Sequence, residues 1–222
     1  MLSEEMRSVH VFNMFVEINF CLHLVAQVNK YAVSSTAQND SGYSNSGTES
    51  KWFDTMIDEL KAFISLCIIQ SCVMKDTLQV YLCTQKSTQT PLFPSVMTFK
   101  QYKLQCEFLH FIDNAELDVS DRLAKVTCPT DYFNNKFQTL YTLKQDTAID
   151  ESLMKLHGRL SFIHFNPTKR AHFGIKYYKI YEPSSDYCTQ FRIHNEQKVE
   201  DQSLPAHEAI VMELMAPYPP RG

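Results

Sequence analysis

Glycine is scarce in this chain, with five residues among 222. That poverty argues against a P-loop or a Rossmann phosphate cradle, both of which need glycines where backbone closes on phosphate. Neither Gly-x-Ser-x-Gly nor His-Glu-x-x-His occurs, so the common serine-hydrolase elbow and zinc-protease helix are excluded. Cysteine is present, seven residues in all, but the number is odd and no Cys-x-x-Cys appears. This spacing suits neither a zinc ribbon nor a disulfide framework. Cys67 and Cys106 sit in apolar runs, where a reduced thiol acts as a small hydrophobe, and a reducing intracellular compartment follows. Long hydrophobic runs are missing too. The most apolar stretch, Phe63 to Met74, covers about a dozen residues, short of the ~20 that a membrane helix needs. It reads as a buried helix, and no membrane partner is expected. Met1 to Arg7 is polar and charged, without the pattern of a signal peptide.

What is there is apolar and aromatic: 44% hydrophobic residues and 12% Phe, Trp and Tyr. A chain of this length supports one large domain or two small ones. The net charge of −4 excludes a general polycation, but it is unevenly spread. Between Ser152 and Tyr181 the charged residues are Lys155, Arg159, Lys169, Arg170, Lys176 and Lys179, with no acid among them. That segment carries +6 and the remainder −10. One basic face on an acidic body points to a local anionic partner.

The first two thirds read as helical. Val9 to Tyr31 has helical apolar spacing, and Ser34 to Ser50 is a Ser/Thr/Asn/Gly-rich loop. Lys51 to Lys75 restarts a helix, with Thr55 and Asp58 as a capping box and Ile57, Leu60, Ile64 and Cys67 on one face. Thr98 with Gln101 marks another helix start, leading into Tyr102, Cys106 and Leu109. Pro129 can open a helix with Phe133, Phe137, Leu140 and Tyr141 on one stripe. The pattern then changes. Thr147 to Leu153 reads as a strand. Gly174 to Tyr181 and Tyr187 to His194 form a hairpin around Pro183 to Asp186. Pro205 to Met215 closes as a helix.

The chemistry concentrates between Ile149 and Lys176. Asp150 and Glu151 are neighbours at the end of a strand, so they point to opposite faces and only one serves a given site. A glycosidase pair, which needs two facing carboxyls, does not fit. Lysines and arginines on a hairpin are commonly just solvated. Phe162, Phe165, Phe173, Tyr177 and Tyr178 belong to a core more readily than to a base-stacking platform.

The order of these signals carries more than any one of them. Val28 to Ala32 (VNKYA), Asp58 to Ile64 (DELKAFI), Leu109 to Asn114 (LHFIDN), Asp121 to Val126 (DRLAKV), Ile149-Asp150-Glu151, Gly158-Arg159, Pro167-x-Lys169 and Gly174-Ile175-Lys176 follow one another. In sequence and spacing the chain resembles the piggyBac family of transposases and the host proteins derived from them. The resemblance implies an α+β fold. Residues 1–145 would be a helical dimerisation and DNA-binding domain with a loop at 34–50. Residues 146–222 would be an incomplete RNase H-like core of three strands and one helix, with Asp150 on the central strand of a mixed sheet.

The family performs cut-and-paste DNA transposition at TTAA sites, using three aspartates to hold two Mg²⁺ ions. By position Asp150 matches the first aspartate, hence catalytic and metal-binding. Arg159, Lys169, Arg170 and Lys176 match residues near DNA, where contacts would be to phosphates. The resemblance also implies nuclear location, DNA as partner, and a second copy or a full-length transposase beside it. The chain departs from the family at Leu214-Met215-Ala216-Pro217, after which the second and third aspartates and a cysteine-rich zinc region would follow. One aspartate cannot hold two hard cations that each prefer six oxygens. Internal departures include His157 before Gly-Arg and His194 to Gln197 where a Tyr-x-Gly-Lys is expected. The expectation is a transposase-like protein inactive by itself. The alternative is a domesticated non-catalytic protein that binds DNA or chromatin, or that dimerises.

Overall fold

The computed structural model describes residues 4–39, 52–118, 120–156, 160, 162–167, 172–195 and 206–218. The chain divides into two compact units, Met1–Asp118 and Val119–Gly222.

The first unit is helical. Helix α1 spans Glu4–Phe15, α2 Ile18–Asn39, α3 Ile57–Cys72, α4 Leu78–Tyr81, α5 Leu92–Val96 and α6 Phe99–Phe108. The apolar stretch expected as one helix from Val9 breaks after Phe15, and the two pieces meet at 61°. No single described helix is long and apolar enough to cross a membrane. Cys21, Leu24, Val28 and Ala32 of α2 are buried in the protein's own core.

Helix α3 buries Leu60, Phe63 and Leu66, not the face through Ile64 and Cys67 that the spacing suggested. The reason is Phe63, whose ring packs 5.1 Å from Tyr102 of α6 and turns the helix accordingly. Each such side chain contributes roughly 1.5–3 kcal/mol when fully buried. The capping box at Thr55 is also absent. Met56 is the N-cap residue and makes no side-chain cap. Thr55 is instead the hub of a buried polar network. Its backbone N–H donates to Asn29 Oδ1 at 2.9 Å, and its carbonyl accepts from Asn29 Nδ2 at 3.1 Å. Its hydroxyl donates to Glu59 Oε2 at 3.1 Å and accepts from Gln105 Nε2 at 2.7 Å. Gln101 Nε2 completes the network on Glu59 Oε1. Three helices are thereby tied together where an unpaired amide or carbonyl would be costly. The Thr98 cap is as expected: its hydroxyl accepts from Gln101 N–H at 3.2 Å.

The second unit holds α7 (Ala124–Leu140), β1 (Ala148–Lys155), β2 (His164–Phe165), β3 (Phe173–Glu182), β4 (Tyr187–Ile193) and α8 (Ala206–Met215). The described sheet has four strands and is antiparallel throughout. Three strands were expected; β2, at two residues, is too short to leave a period in sequence. Strand β3 is central, with β1 along one side and β4 and β2 sharing the other. Asp150 therefore lies on a strand at the edge of the described sheet, not on the central strand of a mixed one.

The division falls at Asp118/Val119 rather than near residue 145, because α7 belongs with the sheet. Asn134 of α7 donates from Nδ2 to Phe191 O at 2.9 Å and accepts from Phe191 N–H at 2.9 Å. A side-chain amide thus takes the place of a neighbouring strand and closes the outer edge of β4. Phe137 packs on Phe191 and Tyr187, and Tyr141 stacks on Tyr187 with centroids 4.3 Å apart. Pro129 does not open α7. It lies inside the helix, which Asp121 leads in by accepting from Leu123 N–H at 2.8 Å. Pro129 has no N–H for the carbonyl four residues back, so one rung of the helix is missing there. On the opposite side of the sheet, α8 places Ile210 and Leu214 on Ile180, with Ile149 and Tyr178 alongside.

Candidate functional site

Strand register divides the basic and acidic residues between two faces. On β1, Asp150 pairs across to Lys179 and Met154 to Ile175, while Glu151 pairs to Tyr178. Side chains alternate along a strand, so Asp150 shares a face with Lys179, and Glu151 shares the α8 face with Tyr178 and Lys176. The reading that neighbouring carboxylates serve different faces holds in the structure.

On the α8 face the charges neutralise one another. Lys176 Nζ lies 2.7 Å from Glu151 Oε2 and 5.0 Å from the centroid of the Tyr178 ring. Burial works against the charged ammonium, but hydrogen bonds to Glu151 and Tyr178 outweigh it and raise its pKa. Lys176 is thus largely enclosed, with a carboxylate of its own. On the other face Asp150 is exposed, and Lys179 lies across from it with its ammonium 5.1 Å from the centroid of the Tyr181 ring. Asp150 and Lys176 are therefore not brought together. Arg159, Lys169 and Arg170 lie outside the described residues.

Two further features escaped the sequence reading. Among the described strand residues Lys179 is the cation on the Asp150 face, and the β1–β3 register that puts it there leaves no signal in the sequence. Phe165 and Phe173, read as core, are about half exposed, whereas Phe162 is buried as expected.

Among the described residues no three His, Cys, Asp or Glu side chains converge as metal ligands. Asp150 alone fits one oxygen ligand of a hard divalent cation, and two such ions need several more.

The family model described as Transposase IS4 matches residues 7–222. Human PiggyBac transposable element-derived protein 2 is 24% identical over 180 residues, which cover 78% of this chain and 27% of that protein. The cryo-EM structure of a piggyBac transposase synaptic complex with hairpin DNA superposes with a TM-score of 0.76 at 22% identity, covering 96% of this chain and 43% of that one. The chain belongs to the piggyBac transposase family. It spans about a quarter of the human relative and under half of the solved transposase chain.

Two of the segments that carry the family likeness, Val28 to Ala32 and Leu109 to Asn114, lie against each other in the first unit. Val28 and Ala32 form a cluster with Phe108, flanked by Tyr31, Trp52 and Leu109. Tyr31 stacks on His110 at 4.0 Å and 5°, Lys30 pairs with Asp113, and His23 Nε2 lies 2.8 Å from Phe111 O. The Val28–Ala32 helix end and the Leu109–Asn114 segment therefore supply packing surface to each other.

Proposed function

We propose that this chain is a transposase-like part of a piggyBac DNA transposase, with a helical half followed by the first strands of an RNase H-like core, and that it is catalytically inactive alone. In this reading Asp150 corresponds to the first of three aspartates that hold Mg²⁺, and the remaining ligands come from elsewhere. Magnesium would activate the attacking oxygen and stabilise the leaving one once that ligand set is complete. The chain's own contribution is a carboxylate presented to solvent on an ordered strand. DNA is held through phosphates by Arg159, Lys169 and Arg170, with Lys179 on the Asp150 face and Lys176 in a lesser role because Glu151 already neutralises it. The chain acts in the nucleus, beside a second copy or a full-length transposase.

The observation that carries this reading is the fold agreement along 96% of the chain, together with Asp150 exposed on the first strand of the described sheet. Gel shift across a salt series tests the DNA part. Three or four neutralised phosphates predict that log K falls against log salt with a slope of roughly −3 to −4. Affinity would then drop about a hundredfold between roughly 50 and 200 mM salt. A flat response would contradict phosphate binding.

A second reading is a domesticated, non-catalytic protein that dimerises or binds DNA or chromatin. It draws on the exposed apolar side chains Val11, Ile18 and Leu22 along α1 and α2.

A further inference from the structure

Phe165 and Phe173 are directly opposite each other across the β2–β3 pair. Their ring centroids are 4.8 Å apart and the rings are tilted by 41°. The two residues are 54% and 51% exposed. Asn166 N–H donates to His172 O at 2.8 Å and holds the two strand ends together under the rings, while the His172 ring lies 6.5 Å from that of Phe165. The two phenylalanines pack on each other with about half of their surface in water, and a contiguous exposed apolar patch points to an interaction site where a scattered single residue does not.

Alternation along β3 puts Phe173 on the same face as Lys179, and hence as Asp150. Phe173 is six residues from Lys179, roughly 20 Å at about 3.3 Å per residue. The aromatic pair therefore terminates the face whose other end carries Asp150. It also lies within the segment from Ser152 to Tyr181, which carries +6 in sequence and contributes Lys179 to this face, while Lys176 is on the other face with Glu151. Flat apolar rings on a face that also carries Lys179 match a partner that is anionic along its backbone and offers flat apolar groups. A purely apolar protein surface would not use the charge. Duplex DNA would not use the rings, because its bases are already stacked.

We infer that Phe165 and Phe173 form a stacking platform for unpaired nucleobases of a DNA strand lying along the Asp150 face. The inference rests on the phosphate-binding reading above. Stacking is tolerant of base identity, because every base has a π-face, so the platform would recognise unpaired character and not sequence.

Fluorescence anisotropy with a labelled oligothymidine of about 20 nucleotides, beside a duplex of the same length, tests it on the whole chain. The double substitution Phe165→Leu with Phe173→Leu keeps the apolar surface and removes the π-faces. It should weaken single-strand binding tenfold or more and leave duplex binding within about twofold. Phe173→Tyr, which keeps a π-face, should bind single strands like the wild type. If the leucine variant binds single strands as the wild type does, while the wild type shows its salt-dependent duplex binding, the rings are apolar cover for a protein surface and the stacking inference is overturned. If the wild type binds neither nucleic acid, the phosphate reading falls and the platform falls with it.

Discussion

Gly174→Ala should destabilise the second unit by roughly 2–4 kcal/mol and detach the end of β1 from β3. Gly174 is paired on both sides, to Lys155 of β1 and to His164 of β2. A Cβ added there would stand 2.2 Å from Met154 O, 2.8 Å from Met154 C and 3.2 Å from Leu153 Cγ. Two of those three atoms are backbone of a hydrogen-bonded strand, so no side-chain rotation relieves the clash. Either β1 moves away and its ladder opens, or β3 distorts at the point where β2 joins it. Glycine is required here by close approach of backbone, not by an unusual dihedral angle. Urea unfolding measures the loss. Hydrogen exchange should show its largest increase at β1 amides near Met154. A change under about 0.5 kcal/mol, within the range of an ordinary surface substitution, would contradict the packing described.

The second large effect concerns Glu182, a fully buried carboxylate at the end of β3. It accepts from Tyr141 Oη at 2.6 Å and from Ser184 Oγ at 2.7 Å, and pairs with Lys144 Nζ at 3.1 Å. The Ser184 and Tyr141 hydrogen bonds, with Lys144 beside them, pull its pKa down to about 2 against a burial that pushes the other way. The folded-state value is depressed below an ordinary carboxylate's 4.5, so the contribution to stability is fully present above that value. It is lost as pH falls from about 4.5 toward about 2. Glu182→Gln should therefore be less stable than the wild type at neutral pH. Its stability should also change less across that acid window. Chemical denaturation at several pH values would show the two curves converging as pH falls. Parallel curves would mean that Glu182 is not held ionised by this network. The same contacts bind the segment after α7 to the far end of β3, which is a further reason why α7 and the sheet form one unit.

Local signals were the most legible in the sequence. The Thr98 cap depends on Gln101 three residues on, and it is where the spacing puts it. The split between Asp150 and Glu151 follows from the two-residue period of a strand and needs no tertiary information. Thr55 looked like a similar local cap, but its partners Asn29 and Gln105 are distant in sequence and draw it into a buried network instead. Pro129 reads as a helix start by propensity, yet α7 begins before it, led in by Asp121. The face buried by α3 was off because Tyr102, contributed by another helix, decides it. The exposure of Phe165 and Phe173 was hidden for a comparable reason. An aromatic in a strand is core or surface according to what lies above it, and β2 is too short to announce a partner. The enclosure of Lys176 by Glu151 likewise depends on register between strands, which composition does not specify.

In the proposed function Asp150 is one carboxylate of a metal centre whose ligand set is incomplete among the described residues. Incubating the chain with Mg²⁺ and DNA carrying TTAA-flanked transposon ends, and resolving the strands on a denaturing gel, addresses it directly. The predicted result is no cleavage, with the wild type and Asp150→Asn indistinguishable. Mg²⁺-dependent cleavage by the wild type that Asp150→Asn abolishes would contradict the account.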